Sequence, residues 1–268
     1  MPQDHNAPLD RARMLAPEQV EAFDVEYVTP PMWAKLERLL AERFGDAPFR
    51  FLDIGGGNGV FTDRVLEAFP RATAILADRS ADMLDRNRPH PRKRLVQASA
   101  ERLDEALADD ERADVIFLNW VLHHLVLDSY RDTRRMQRRV LADLQARLRP
   151  GGTLSVFENL YEGWPHPGVP GRLIYHLTSR RSLAAFTRRM GANTAGVGVC
   201  FLCGTEWRAE WRRGGWSVLA HTAFEPWEVS WVRRAFLGVR GVRVGHFWLS
   251  PEPESRVEPP TPDATQQD

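Results

Sequence analysis

The sequence predicts an α/β protein: a mostly parallel, seven-stranded sheet with helices on both faces. Three observations predict it. Short apolar runs alternate five times with helical patterns between residues 49 and 160, the grammar of parallel strands joined by right-handed crossovers. The most apolar run, ADVIFLNW, lacks the polar alternation of a half-exposed strand and reads as buried on both faces. The first run leads straight into FLDIGGGNGVF at 51–61, with four glycines in five positions. Glycine is costly to order, so such a cluster points to something lying close against the backbone.

Residues 1–16 are polar and dotted with proline and are expected to be disordered. Two helical patterns in 17–48 form a helical cap. The second starts at Pro30-Pro31, carries Trp33, Leu36, Leu40 and Phe44 on one face, and stops before Gly45. In the core, 49–160, FRFLDI is the first strand, and the helix after the glycine loop turns Phe61, Val65 and Phe69 inward. RATAILAD and SADMLDRN are the second strand and helix, KRLVQAS and ERLDEALAD the third. ADVIFLNW is followed by a long helix, YRDTRRMQRRVLADLQARLR, with Val140, Leu141, Leu144 and Leu148 inward and a stop at Pro150-Gly151-Gly152. TLSVFENL is the fifth strand. The next stretch, YEGWPHPGVPGRLIYH, is too rich in proline and glycine to predict a regular element, and RRSLAAFTRRMG reads as a short amphipathic helix; together they fill 161–204. A helix, TEWRAEWRRGGW, and two strands, WSVLAHTAFE and VRVGHFWLS, occupy 205–250. The expectation is one domain over 17–250 and a disordered tail at 251–268, where apolar content is too low to pack.

Lysine plus arginine and aspartate plus glutamate each total 36 in 268 residues, so the chain lacks the basic surplus of a protein that grips nucleic acid through phosphates. Cys200 and Cys203 form a lone C-x-x-C, at most half of a four-ligand zinc site, and read as two small buried hydrophobes. No apolar segment suited to secretion opens the sequence. The longest apolar run, VIFLNWVLHHLVL, is broken by Asn119, His123 and His124 and is too polar to span a membrane. These features predict a soluble, cytoplasmic protein.

In an open α/β sheet, ligands sit beyond the carboxyl ends of the strands, and the first strand–helix turn is where a glycine loop meets them. A dinucleotide fingerprint reads G-x-G-x-x-G. Gly55 and Gly57 fit, but the third position is Val60; the actual spacing is G-x-G-x-G through Gly59, with Asp53 ahead of it. A phosphate-binding loop fails for want of Gly-Lys-Ser/Thr. The motifs LDIGGGNG, ILADRSADML, LNWVLHHL and LRPGGTLSVFE, in this order and spacing, resemble those of the class I S-adenosylmethionine-dependent methyltransferases, over 49–158 closely and 205–249 more loosely. The resemblance implies a Rossmann-like fold, S-adenosyl-L-methionine as cofactor and a small-molecule substrate. It implies that Asp53, Gly55, Gly57 and Gly59 hold the methionine part, that Asp78 accepts hydrogen bonds from the ribose hydroxyls, and that Met83 packs on adenine. Ser99 stands where the family often has an aspartate facing the adenine amino group, and Asn119 falls beside the methionine moiety.

A hydroxyl or protonated amine acceptor would be helped by a base of near-neutral pKa, which nominates His123 and His124, with Glu158 and Tyr161 at the pocket mouth. The alternatives are that the histidines only shape the pocket and that Glu158 only satisfies loop amides. A metal held by His123, His124 and Glu158 lacks any recognised ligand spacing, and no metal is expected. In this family the segment after strand five usually builds a substrate lid, so 161–204 implies substrate contacts from Trp164, Arg172 and His176, with Tyr27 and Trp33 of the cap closing the other side. Arginines there would suit an anionic substrate or a solvated helix face. The rival readings are a binder of S-adenosylmethionine that promotes a cyclisation without methylating, a protein or nucleic-acid methyltransferase, and an NAD-dependent oxidoreductase. A homodimer is left open.

Overall fold

The computed structural model describes Arg13 and residues 27–252. The expected tail, the first cap helix and nearly all of 1–16 lie outside the described residues. Helix α1 (Pro30–Phe44) begins with proline at its first positions and ends at Gly45, whose φ of 51° is open to glycine at little cost. Met32, Trp33, Leu36 and Leu40 form its buried stripe. Strand β1 (Arg50–Ile54) leads through the glycine loop to α2 (Val60–Ala68). Next come β2 (Thr73–Asp78), α3 (Ala81–Asp85), β3 (Lys93–Gln97) and β4 (Ala113–Asn119).

Between β3 and β4 the predicted helix is a 3₁₀ segment, Ala100–Glu105, because Arg102 leaves helical geometry at φ −141° and breaks the turn. Helix α4 (Tyr130–Ala146) is capped by Ser129, whose hydroxyl accepts from the Asp132 N–H. It stops earlier than expected. Leu148 already belongs to β5 (Leu148–Gly163), opposite Ala113, and Pro150 to Gly152 lie within that strand.

The sequence expectation of no regular element fails after β5: α5 (Val169–Thr178) is a helix. Pro170 falls in its first turn, where the missing N–H has no partner to lose, so proline starts this helix instead of breaking it. The short α6 (Ala184–Arg189) matches the predicted amphipathic segment. Helix α7 (Gly204–Arg213), β6 (Trp216–Ala223), α8 (Trp231–Leu237) and β7 (Val239–Pro251) complete the fold. Cys203 caps α7 in a capping box with Glu206.

The sheet runs β3-β2-β1-β4-β5-β7-β6, parallel except for β7, which is antiparallel to β5 and β6. Strand order reverses between β1 and β4, which opens a crevice at their carboxyl ends. Alternate residues feed two cores. Phe51, Val115 and Phe117 pack on α1 and α2 with Leu36, Leu40 and Val65, while Leu52, Ile116 and Leu118 pack on the other side with Leu141, Leu144, Trp207 and Trp211. Both layers are close to fully buried, so β1 and β4 present the site from the packed core.

Candidate functional site

A cavity of about 850 Å³ lies at the carboxyl ends of β1, β2 and β4. Its floor is the glycine loop. Gly55, Gly57 and Gly59 have φ of 71°, 54° and 79°, a left-handed run that other residues rarely adopt. The three missing side chains are not equivalent. A Cβ on Gly55 would stand 2.6 Å from Val121 Cγ2, and one on Gly59 would stand 1.9 Å from Asn87 Oδ1. At Gly57 nothing lies within 4 Å. Two of the glycines therefore make room for the protein's own packing, and Gly57 borders open space in the cavity.

Asp53 and Asp78 sit beside the loop with 1% and 9% of their surface exposed. Thr62 Oγ1 donates to Asp53 Oδ2 at 2.6 Å, which ties β1 to α2. Asp78 Oδ2 accepts from the Gly57 N–H at 2.9 Å and Oδ1 from the Ser80 N–H at 2.8 Å. Burial pushes the Asp78 carboxyl above the usual carboxylate range, against the opposing pull of those amides and of Arg79. Each oxygen keeps a lone pair for a further donor. Ser80 caps α3 and so fixes Met83, which is 5% exposed and lines the same wall. Ser99 and Asn119 also line the cavity. Asn119 Oδ1 is buried with no hydrogen-bond partner among the described residues, an acceptor that a ligand would complete.

Trp120 has φ of 56°, the one non-glycine positive φ among the described residues. Its Nε1 donates to Asn159 Oδ1 at 3.0 Å and its ring stacks on Phe157 at 5.6 Å, contacts that hold the left-handed backbone in place. The chain then makes a 3₁₀ turn, Leu122–His124, that carries both histidines to the cavity. His123 is 4% exposed, and its Nδ1 lies 2.6 Å from Glu158 Oε2. Glu158, fully buried at the sheet's β5, also accepts from the Leu122 N–H at 3.0 Å through Oε1. Its carboxylate thus orients the ring and pins the turn that carries it. Gln137 Nε2 donates to Leu122 O, and Cys200 N–H donates to His123 O, both at 2.9 Å. The His124 ring lies 4.2 Å from that of His123. Burial first, then His123 and Arg79, push its pKa well below the ordinary value, so His124 is neutral.

Of the residues nominated from sequence, Tyr27, Asp53, Gly55, Gly57, Asp78, Met83, Ser99, Asn119, His123 and His124 converge on the cavity. Glu158 stands behind His123 and not at the mouth. Gly59 faces Asn87. Trp33 is buried in the α1 core with Arg64 over its ring, and Tyr161 stacks on Phe201 at 4.4 Å. Trp164 is 73% exposed. Arg172 and His176, both on α5, gather around Tyr130 away from the cavity. Sequence reasoning missed Arg13, Arg79, Trp120, Asn159 and Trp227 in the lining. Arg79 and Trp120 sit inside the quoted motifs and were legible there. Trp227 arrives only through its bridge to Val242, and Arg13 through bonds to Asp128, Ser179 O and Val197 O, none of which has a local signal. Cys200 and Cys203 are buried free thiols, and burial pushes the Cys200 thiol up to about 12. Among the described residues no helix is long and apolar enough to cross a membrane.

A family model described as a methyltransferase domain matches residues 52–154. The chain is 30% identical over 191 residues to a malonyl-[acyl-carrier protein] O-methyltransferase of Halalkalibacterium halodurans, covering 69% of this chain and 63% of that protein. It is 32% identical over 144 residues to a trans-aconitate 2-methyltransferase of Rhodopseudomonas palustris, covering 52% and 48%. The chain thus spans about half to three-fifths of the length of these relatives. In fold it is similar to the structure of a SAM-dependent methyltransferase of Leishmania major, with a TM-score of 0.57, 14% identity, and coverage of 86% of this chain and 76% of that one.

Proposed function

We propose that this chain, whose residues 52–154 match a family model of a methyltransferase domain, belongs to the class I S-adenosylmethionine-dependent methyltransferases and transfers a methyl group from S-adenosyl-L-methionine to an oxygen, nitrogen or carbon atom of a small molecule. The observation that carries the reading is the buried His123–Glu158 pair, 2.6 Å apart, at the edge of a cavity whose other wall is the glycine loop and Asp78. Both halves of a transfer site, a cradle and a base, border one space.

The residues present fit the cofactor. Asp78 keeps acceptor capacity for ribose hydroxyls, Gly57 gives close approach, Asn119 Oδ1 is an uncompensated acceptor, and Met83 and Ser99 border the adenine side. When bound, the cofactor supplies an electrophilic methyl on a sulfonium. The chain supplies orientation and the handling of a proton. With Glu158 accepting the Nδ1–H of His123, Nε2 is the ring nitrogen left for the substrate. His123 Nε2 takes the proton of an acceptor hydroxyl as its oxygen attacks, or takes the proton of an ammonium beforehand to free its lone pair, and the Glu158 carboxylate stabilises the imidazolium that results. His124, held neutral by burial, is a wall and not a second positive charge. The substrate enters over Tyr27, Trp120 and Trp227, beneath a lid drawn from 161–204 that reaches the cavity through Val197. A zero formal charge suits a free small molecule in the cytoplasm better than a nucleic acid.

The test is calorimetric titration with S-adenosylmethionine, S-adenosylhomocysteine and NAD in turn, followed by detection of S-adenosylhomocysteine during turnover with candidate acceptors. Micromolar-scale binding of the two sulfur compounds and none of NAD is expected. Binding of NAD alone would overturn the reading, and cofactor binding without any S-adenosylhomocysteine formed would favour a non-methylating role.

A further inference from the structure

Beside α4 lies a second pocket, about 460 Å³, that shares no residue with the first. Five arginines line it: Arg131, Arg134 and Arg138 from α4, Arg172 from α5 and Arg213 from α7. Two carboxylates stand among them. Glu210, only 2% exposed, takes Arg134 at 2.8 Å, Arg138 at 3.0 Å and Arg213 at 2.9 Å. Glu206 is engaged with the Cys203 N–H at 3.2 Å and reaches Arg134 only at 3.9 Å.

The balance is uneven. Five guanidinium groups against two carboxylates leaves three positive charges facing one concave space, in a chain whose formal charge is zero. Arg131 and Arg172 have no carboxylate within ion-pair distance among the described residues, and Arg172 instead lies over the Tyr130 ring at 5.6 Å. Arg134 is nearly buried. It donates through Nη1 to Tyr130 Oη at 3.1 Å, while its Nε is buried with no acceptor. An unpaired buried donor and a crowd of like charges both cost free energy that an oxyanion between them removes. Guanidinium groups match phosphate and carboxylate oxygens in paired, planar contacts.

We propose that this pocket, framed by α4, α5 and α7, binds a small ligand carrying a multivalent oxyanion, either a phosphate ester or clustered carboxylates. Arg131 and Arg172 supply free guanidinium groups to it, and Glu210 holds Arg134, Arg138 and Arg213 in place behind them. A volume of about 460 Å³ admits a small molecule from solvent. The ligand site is distinct from the methyl-transfer cavity, although α4 also carries Gln137, which bonds the turn before His123.

The experiment is calorimetric titration of the full chain with inorganic pyrophosphate and, separately, with citrate. Ionic strength is held constant with chloride, and the first cavity is saturated with S-adenosylhomocysteine. One-to-one binding of either anion is expected, weakened about tenfold or more in an Arg131→Ala/Arg172→Ala variant that binds S-adenosylhomocysteine as before. Preference for pyrophosphate supports a phosphate ester and preference for citrate supports clustered carboxylates. Both substituted residues are exposed, so an unchanged unfolding temperature is expected to show that the variant is folded. No heat with either anion at about 10 mM, or equal affinity in the variant, overturns the proposal.

Discussion

At the scale of single residues, the site turns on two carboxylates with opposite duties. Glu158 is spent inside the protein, on the His123 ring and the Leu122 amide, whereas Asp78 uses one amide on each oxygen and retains capacity toward the cavity. His123→Ala should lower kcat by about 10²- to 10⁴-fold with cofactor affinity unchanged, the scale of a lost general base. Glu158→Gln should lower kcat as well and alter its pH profile, since the ring loses the partner that stabilises its charged form. Wild-type kcat in both variants would leave the pair a structural one. Asp78→Ala should weaken S-adenosylmethionine by about 1–3 kcal/mol, measured calorimetrically. Unchanged affinity there would remove the ribose assignment. That Asp78, Met83, Ser99 and Asn119 border the cavity was legible in the sequence, because each ends or closely follows a strand within or near a motif. The partnership of His123 with Glu158 was not, because the two are 35 residues apart and meet only when β4 and β5 pair.

At the scale of elements, the glycine loop separates structural from functional demand. Both Gly57→Ala and Gly59→Ala place a side chain in left-handed backbone, at about 1–2 kcal/mol. Gly59→Ala must also displace Asn87, whose Nδ2 donates to Gly57 O at 2.8 Å, so it should destabilise more in urea unfolding. Gly57→Ala should cost less stability and more cofactor affinity. Equal unfolding midpoints for the two would contradict this division. Elsewhere, periodicity located most elements, but it overran the end of α4, gave no sign of α8 (Trp231–Leu237) and misjudged three others. The 100–105 segment tightens to 3₁₀ where Arg102 departs from helical angles. Strand β5 is lengthened at both ends by partners no local pattern reveals, Ala113 at its start and β7 at its finish. Helix α5 was obscured because proline's effect depends on its position, and Pro170 falls in the first turn.

At the scale of the whole molecule, buried imidazoles tie stability to pH. His246 lies in β7 with its Nε2 2.9 Å from Ser155 Oγ and its ring stacked on Phe157; burial, then Lys35 and His221, pull its pKa from 6.5 to about 3. Above pH 6.5 neither the folded nor the unfolded state holds the proton, and the group costs nothing. Below it only the unfolded chain takes the proton up, so stability should fall by about 1.4 kcal/mol per pH unit down toward pH 3. His124, also pushed down, adds in the same direction. Urea midpoints should therefore drop between about pH 7 and about pH 5, less steeply in His246→Gln, and a flat profile would contradict the burial argument. The amino-acid sequence by itself determined the α/β class, the sheet's mostly parallel core and the glycine loop that borders the main cavity, because apolar period, glycine spacing and strand-end acids are local signals. Only the tertiary structure decided which acid holds which base, that a Cβ would meet nothing within 4 Å at Gly57 but would clash at Gly55 and Gly59, and that Arg172 belongs to a second pocket. Those outcomes depend on strand register and on which helices share a face, and residues far apart in the chain acquire them together only when the sheet closes.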